Sequence, residues 1–278
     1  MSAFVIAQIS DLHVGSIYFD HELLTAAVNE IQELGPDLVV VAGDLTEEGY
    51  AAQFQIAREA LRPLQEEFTT VVIPGNHDAR NVGYVHFADS FGKGEAGAKL
   101  DRSVHMSRSR SPGMISVVAV DSSKPDLNEG EVGRERYEWI AEELSYPADY
   151  RIFVLHHHLV PVPGTGRERN IVWDAGDVLA LLDNAQVNLV LAGHKHVPHV
   201  WVMGDMLIVN SGTASSFRLR GYTRPSYNVL HITEEEVTVT LVYPGVGERR
   251  AAHFDRLSRV LDRHPELDGM FSRATWTW

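Results

Sequence analysis

The stretch Val71-Val72-Ile73-Pro74-Gly75-Asn76-His77-Asp78 decides how this chain is read. A β-branched run that ends in Pro-Gly has the composition of a buried strand that stops abruptly, which sets Asn76 and His77 on a loop at its carboxyl end. Open α/β sheets collect their chemistry at that edge. Taken alone, Gly75-Asn76-His77-Asp78 reads more readily as a polar turn than as a site, and it is the rest of the chain that reverses the balance.

Working back toward the amino terminus, the same grammar occurs twice more. Phe4 to Ile9 reads as a strand ending in Ser10-Asp11-Leu12-His13, and Leu38 to Ala42 reads as a buried strand ending in Gly43-Asp44. Between them, Asp20 is placed to N-cap a helix whose apolar positions Leu23, Leu24, Ala27, Val28, Ile31 and Leu34 follow a 3.6 period up to Gly35-Pro36. A second helix is expected from about Tyr50 to Glu67, kinked or broken by Pro63. Strands that alternate with helices and hand over to polar loops imply a largely parallel sheet with helices on its faces.

Toward the carboxyl terminus, residues 79–113 have little periodicity and read as a surface excursion near the site mouth. Ile115 to Val120 is a strand, Val132 to Leu144 suggests a helix, and Arg151 to Leu155 is a strand that ends in His156-His157-His158. Residues 159–173, rich in Pro, Gly and Arg, suit a substrate-facing lid. After a helix over 174–185, Asn188 to Ala192 is a strand ending in Gly193-His194-Lys195-His196. Val200 to Met203, Leu207 to Val209, Tyr227 to Ile232 and Val237 to Val242 read as short strands of a mostly antiparallel second sheet. A domain over 1–250 is expected to carry a helical tail over 251–278.

Composition narrows the function classes. Of 278 residues, 44% are apolar and 22% charged, ordinary for a globular chain. The formal charge of −14 disfavours non-specific attraction to nucleic acid or an anionic membrane. Cysteine is absent, which excludes disulfides, thiolate metal sites and a thiol nucleophile. The first nine residues lack a positively charged leader and run straight into Asp11, so a cytoplasmic protein is expected, and no run reaches the length of a membrane span.

Five strand ends therefore carry Asp11, His13, Asp44, Asn76, His77, His156, His194 and His196, oxygen and imidazole donors suited to divalent first-row metals. In an extended segment, residues i and i+2 project the same way, so Asp11-x-His13 and His194-x-His196 each read as a chelating pair. Setting His77 aside, seven donors exceed what one catalytic ion uses, typically about three or four with a position left open. Two ions sharing a carboxylate accommodate them. Three consecutive histidines leave the register between His156 and His157 open; His156, the first polar residue after Leu155, is preferred.

Asp11-x-His13, Gly43-Asp44, Gly75-Asn76-His77-Asp78, His156-His157 and Gly193-His194-x-His196, in this order over about residues 5–213, resemble the signature of the calcineurin-like metallophosphoesterases. The resemblance implies an α/β fold, a four-layer αββα sandwich with two mixed sheets flanked by helices. It implies that Asp11, His13, Asp44 and His196 hold one metal ion, and that Asp44 bridges to a second held by Asn76, His156 and His194. His77 would contact the scissile phosphate and protonate the leaving oxygen, with Asp78 or Glu47 orienting it. Lys195 fills a variable position and is expected to face away.

Two cations lower the pKa of a water toward neutrality, so a hydroxide nucleophile exists at pH 7. The expected activity is hydrolysis of small phosphodiesters with two manganese, iron or zinc ions, similar to bacterial class III cyclic-nucleotide and glycerophosphodiester phosphodiesterases. Phosphomonoesterase, nucleotide-lipid pyrophosphatase and nuclease are the alternatives within the class; a non-enzymatic scaffold is disfavoured because every ligand position is filled. Asn210-Ser211-Gly212-Thr213 reads equally as a site-closing loop or a turn. Arg167, Arg169, Arg218 and Arg220 read as solvated charges sooner than as phosphate contacts. Homo-oligomerisation is left open, with Trp276 and Trp278 as an anchor or as part of a tail folded on its own domain.

Overall fold

The computed structural model describes residues 3–92, 100–109, 112–165, 171–220 and 223–264. Strands β1 (Phe4–Ile9), β2 (Leu38–Ala42) and β3 (Thr70–Ile73) run parallel, connected by helices α1 (His21–Leu34) and α2 (Ala51–Glu67). On the other side of β1 the sheet continues antiparallel through β10 (Tyr227–Ile232), β11 (Glu236–Tyr243), β12 (Gly247–Asp255) and β13 (Val260–Arg263). A second sheet contains β4 (Arg102–Ser107), β5 (Met114–Ala119), β6 (Tyr150–Val154), β7 (Leu189–Ala192), β8 (His199–Met203) and β9 (Met206–Asn210), in the order β4-β5-β6-β7-β9-β8. Its inner strands β5, β6, β7 and β9 are parallel and its edges are antiparallel.

The sequence of β2 explains why the sheets stack. Along a strand, successive side chains face opposite sides. Leu38, Val40 and Ala42 point into a core shared with Ile115, Val117, Ile152 and Val154 of the second sheet. Val39 and Val41 point the other way, into a core with Leu24, Ile31, Phe54 and Leu61 of the first two helices. On the far side, helices α4 (Tyr137–Leu144) and α5 (Ala175–Asn184) bury Ile140, Leu144, Val178 and Leu182 against Val118, Phe153 and Val190. Three cores separate four layers, and both sheets are apolar on both faces, as expected of parallel strands covered by helices. The fold is the expected αββα sandwich.

Several local expectations are corrected. The late strands do not form a sheet of their own: β8 and β9 join the second sheet, whereas β10 and β11 extend the first. Within 79–113, helix α3 (Gly83–Phe91) and strand β4 interrupt the expected excursion. Pro63 lies inside an unbroken α2; the acceptor it leaves without a donor is the carbonyl of Glu59, an exposed residue, where water can serve it. Residues 251–263, expected to begin a helical tail, lie in β12, β13 and the turn between them. Residues 265–278, with Trp276 and Trp278, lie outside the described residues. Asp20 does cap α1, accepting from the amides of Glu22 and Leu23, and Gly35 closes it at φ 63°. Among the described residues, no helix is long and apolar enough to cross a membrane.

Candidate metal centre

The carboxyl ends of β1, β2 and β3 from one sheet meet those of β6 and β7 from the other, so all seven expected ligands converge at one end of the sandwich. Asp11, His13, Asp44, Asn76, His156, His194 and His196 are all buried. Their donor atoms gather in two separate groups, one of Asp11, His13 and His196 and another of Asp44, His156 and His194, with atoms in each within 4.8 Å of one another. A third group joins His13, Asp44 and His77. Glycine permits this crowding at Gly43, whose φ is 88° and where a Cβ would lie 2.5 Å from His156 Nδ1 and 2.8 Å from the Gly75 amide.

The chelating pairs do not sit on extended backbone. Asp11, His13, Asp44, His194 and His196 all have positive φ, between 52° and 82°. Non-glycine residues adopt that region at a cost, and such strain concentrates at functional sites. One result is that His194 and His196 diverge into different groups instead of pointing the same way.

Hydrogen bonds fix which nitrogen of His156 and of His196 is free. His156 Nδ1–H donates to the Ala42 carbonyl at 2.7 Å, which turns Nε2 toward Asp44 Oδ2, 3.3 Å away with no hydrogen bond between them. His196 Nδ1–H donates to the Arg218 carbonyl at 2.5 Å, leaving Nε2 at 2.8 Å from His13 Nε2 and 3.3 Å from Asp11 Oδ1. Asn76 Oδ1 and both nitrogens of His194 are buried without a hydrogen-bond partner. Buried polar atoms are nearly always paired, so the unpartnered Asn76 Oδ1 and the one acceptor nitrogen of the neutral His194 ring mark a place for positive charge. In the unliganded protein a proton takes that role: burial favours neutral His156, but Asp44 outweighs it and lifts the imidazole to about 9. Burial would raise Asp44 itself, and the surrounding His156 and His77 instead hold it well below the usual carboxylate range. His194, buried beside His157, is held neutral. The residues present fit divalent cations: oxygen and imidazole donors aimed inward, with the tautomers of His156 and His196 set by backbone carbonyls.

The neighbouring histidines are occupied elsewhere. His157 Nδ1 accepts from the Ser122 hydroxyl at 2.8 Å and its Nε2–H donates to the Asn128 carbonyl at 3.2 Å. His158 Nε2–H donates to the Gly193 carbonyl at 2.7 Å, and burial lowers this imidazole to about 4. Thr213 Oγ1 donates to the Asp11 carbonyl at 2.7 Å, so the 210–213 segment braces the Asp11 loop.

His77 is 6% exposed at the floor of the adjoining cleft. Its amide donates to Asp44 Oδ1 at 2.8 Å, its Nδ1–H donates to the Glu47 carbonyl at 2.7 Å, and Nε2 lies 3.3 Å from an Arg80 guanidinium nitrogen. Burial lowers its pKa, against the pull of Asp44. Asp78 does not touch it. That carboxylate accepts from the amides of Leu45, Thr46 and Gly75 and from the Thr46 hydroxyl, all at 2.8–3.0 Å, and burial next to Asp44 raises it to about 7. Asp78 staples the loops after β2 and β3 together. Glu47 Oε2 approaches His13 Nδ1 at 2.9 Å without hydrogen-bond geometry, and Oε1 pairs with Arg218 at 3.1 Å.

Three participants escaped the sequence reading: Arg80, Asn128 and the Glu47 carbonyl. Only Arg80, three residues beyond His77 in the same turn, carried a signal. Lys195, expected to face away, lines the cleft together with Arg218 and Arg220. Arg167 and Arg169 lie outside the described residues.

Comparison with known proteins agrees with this geometry. Residues 4–198 match the family model described as calcineurin-like phosphoesterase. A Mycobacterium tuberculosis protein named cAMP/cGMP dual specificity phosphodiesterase MT0825 is 28% identical over 270 residues, covering 88% of this chain and 81% of its own. An Arcobacter nitrofigilis protein named probable glycerophosphodiester phosphodiesterase GpdQ is 25% identical, covering 93% of this chain and all of its own. In fold, the chain is similar to a dimetal phosphatase from Danio rerio, with a TM-score of 0.67 at 12% identity, over 90% of this chain and 99% of that one. Strand ends of this kind, and a family match spanning all five such motifs, establish that the chain belongs to the calcineurin-like phosphoesterases, as a metal-dependent phosphoric ester hydrolase.

Proposed function

We propose that the protein hydrolyses small phosphodiesters at a centre of two divalent cations. The observation that carries this reading is the convergence of buried polar atoms without a hydrogen-bond partner, Asn76 Oδ1, His156 Nε2 and a ring nitrogen of His194, at the cleft that Asp44 lines. Asp11, His13, Asp44 and His196 would hold one cation; Asp44, Asn76, His156 and His194 would hold the other. The choice of His156 over His157 rests on the free Nε2 of the first and the two engaged nitrogens of the second. Two cations supply Lewis acidity toward an attacking water and toward the phosphoryl oxygens. The preference for diesters is supported by relatives named phosphodiesterases that align over most of this chain.

The chain's own residues position and protonate. Ser10 Oγ at 2.6 Å and the His194 amide at 3.0 Å fix the Asp11 carboxylate. The Glu47 carbonyl holds the proton of neutral His77 on Nδ1, leaving Nε2 as the atom that faces the cleft. A phosphate anion bound there raises the proton affinity of the imidazole, and the proton taken up on Nε2 is the one delivered to the leaving oxygen. Arg80, bridging His77 Nε2 and Asn128 Oδ1, is placed to meet a non-bridging phosphate oxygen.

The test is metal analysis beside turnover. Purified protein loaded with manganese should contain two ions per chain and hydrolyse bis(p-nitrophenyl) phosphate, and Asn76→Ala should lose one ion and most of the turnover. One ion per chain in the active wild type would overturn the two-cation reading.

A further inference from the structure

The cleft beside the proposed centre has the opposite charge to the protein as a whole. Asp and Glu outnumber Lys and Arg by 38 to 24, yet Arg80, Lys195, Arg218 and Arg220 all line this cleft, where Asp44 is the carboxylate. Two of these cations are already matched. Arg218 pairs with Glu47 at 3.1 Å, and Arg80 reaches Glu48 at 3.3 Å and Asn128 at 3.2 Å. Lys195 and Arg220 make no side-chain hydrogen bond or ion pair with any described residue. Arg220 is exposed, but Lys195 is half-buried, and its desolvated ammonium feels Arg220 and Arg218 as well as Asp44 and Asp11, with no direct partner among the described residues to offset the cost. It stands between His194 and His196, whose left-handed backbone fixes the turn, with its amide bonded to the Gly193 carbonyl at 3.2 Å.

A phosphodiester carries a single negative charge at neutral pH, shared by the two non-bridging oxygens that the cations and Arg80 would engage. It leaves nothing for Lys195 and Arg220. We infer that Lys195 and Arg220 form a second oxyanion subsite, so that the preferred substrate is a phosphate ester whose uncleaved portion bears a further phosphate or carboxylate group. The location of the first phosphate rests on the hydrolase reading above; the subsite itself rests on the two unmatched cations. Lysine suits it as a compact point charge and arginine as a fork, so either oxyanion is recognised by the same pair.

The test compares ligands that differ by one anionic group, bound to the manganese-loaded protein and followed by calorimetry. Adenosine 3′,5′-bisphosphate is set against adenosine 5′-monophosphate, and 3-phosphoglycerate against glycerol 3-phosphate. The wild type should bind at least one bifunctional ligand about tenfold more tightly than its partner, and which pair shows the gain identifies phosphate or carboxylate. Lys195→Ala with Arg220→Ala should reduce that advantage to about twofold or less, and Lys195→Arg should keep it, with metal content and circular dichroism as checks on folding. No advantage in the wild type with either pair, or an advantage that survives the double substitution, overturns the inference. Turnover of bis(p-nitrophenyl) phosphate is recorded separately. Its loss in the wild type would refute the diesterase reading and leave the subsite standing, and turnover without an anion advantage would do the reverse.

Discussion

His156 Nε2 faces Asp44 Oδ2 across 3.3 Å with no hydrogen bond between them, while the opposite nitrogen of the same ring is held by the Ala42 carbonyl. A carboxylate and a ring nitrogen so arranged share one positive charge, supplied by a proton or by a metal.

Proton and metal therefore compete. With the folded imidazole raised to about 9 and the unfolded value near 6.5, His156 stabilises the metal-stripped protein fully below pH 6.5, and the contribution is lost as pH rises through about 9. Metal binding needs the deprotonated ring and grows over the same interval. The difference in melting temperature between loaded and chelated protein should thus widen from pH 6.5 to 9, and calorimetry at pH 7.5 in buffers of different ionisation enthalpy should register proton release on manganese binding. A constant difference with no proton release would contradict the pairing.

His77→Gln should leave metal content near normal. The loss in turnover should be about 10²- to 10⁴-fold for a diester with an alkyl leaving group. With p-nitrophenolate, which departs without a proton, the loss should be much smaller. Equal losses on both would assign His77 to binding rather than to proton delivery.

Asp78→Asn should act on stability. Its carboxylate accepts from four donors on the loops after β2 and β3, and an amide must turn an NH₂ toward some of them. Unsatisfied buried donors of this kind cost about 2–4 kcal/mol, readable by urea unfolding. An unchanged unfolding midpoint with reduced turnover would return Asp78 to the role of orienting His77.

His158→Gln should flatten the acid side of the stability profile. The buried imidazole titrates at about 4 when folded and near 6.5 when unfolded, so the unfolded chain binds the proton first and stability falls as pH drops through that window, by roughly 3 kcal/mol in full. Glutamine keeps a donor for the Gly193 carbonyl and removes the titration. The effect is read as the difference between wild type and variant in chelated protein, because Asp78, raised to about 7, titrates in part of the same window with the opposite sign. A difference independent of pH would rule out the assigned origin.

The sequence revealed local elements more readily than their partners. Val71 to Ile73 and Leu38 to Ala42 are apolar on both faces, so burial and strand identity follow from period alone. Which sheet Tyr227 to Ile232 joins depends on its pairing with β1, more than two hundred residues upstream, and no local pattern encodes that. Strand β12 hides its alternation behind Glu248, Arg249 and Arg250, and the register of its ladder shifts between Val239 and Thr240. At the site, donors clustered at strand ends were legible as types. Asp78 was not, since three of its four partners are main-chain amides, and Lys195 was not, because left-handed φ at both flanking histidines overturns the i, i+2 rule for an extended segment.

The proposed ligands are drawn from both sheets: Asp11, His13, Asp44 and Asn76 follow strands of the first, and His156, His194 and His196 follow strands of the second. During synthesis, the last first-sheet donor, Asn76, therefore emerges 80 residues before His156 in the cradle proposed for one cation, and Asp44 emerges 152 residues before His196 in the other. On this ligand assignment, neither cradle is complete until the two sheets have docked. Metal-dependent turnover would then report the docked sandwich, not either sheet alone.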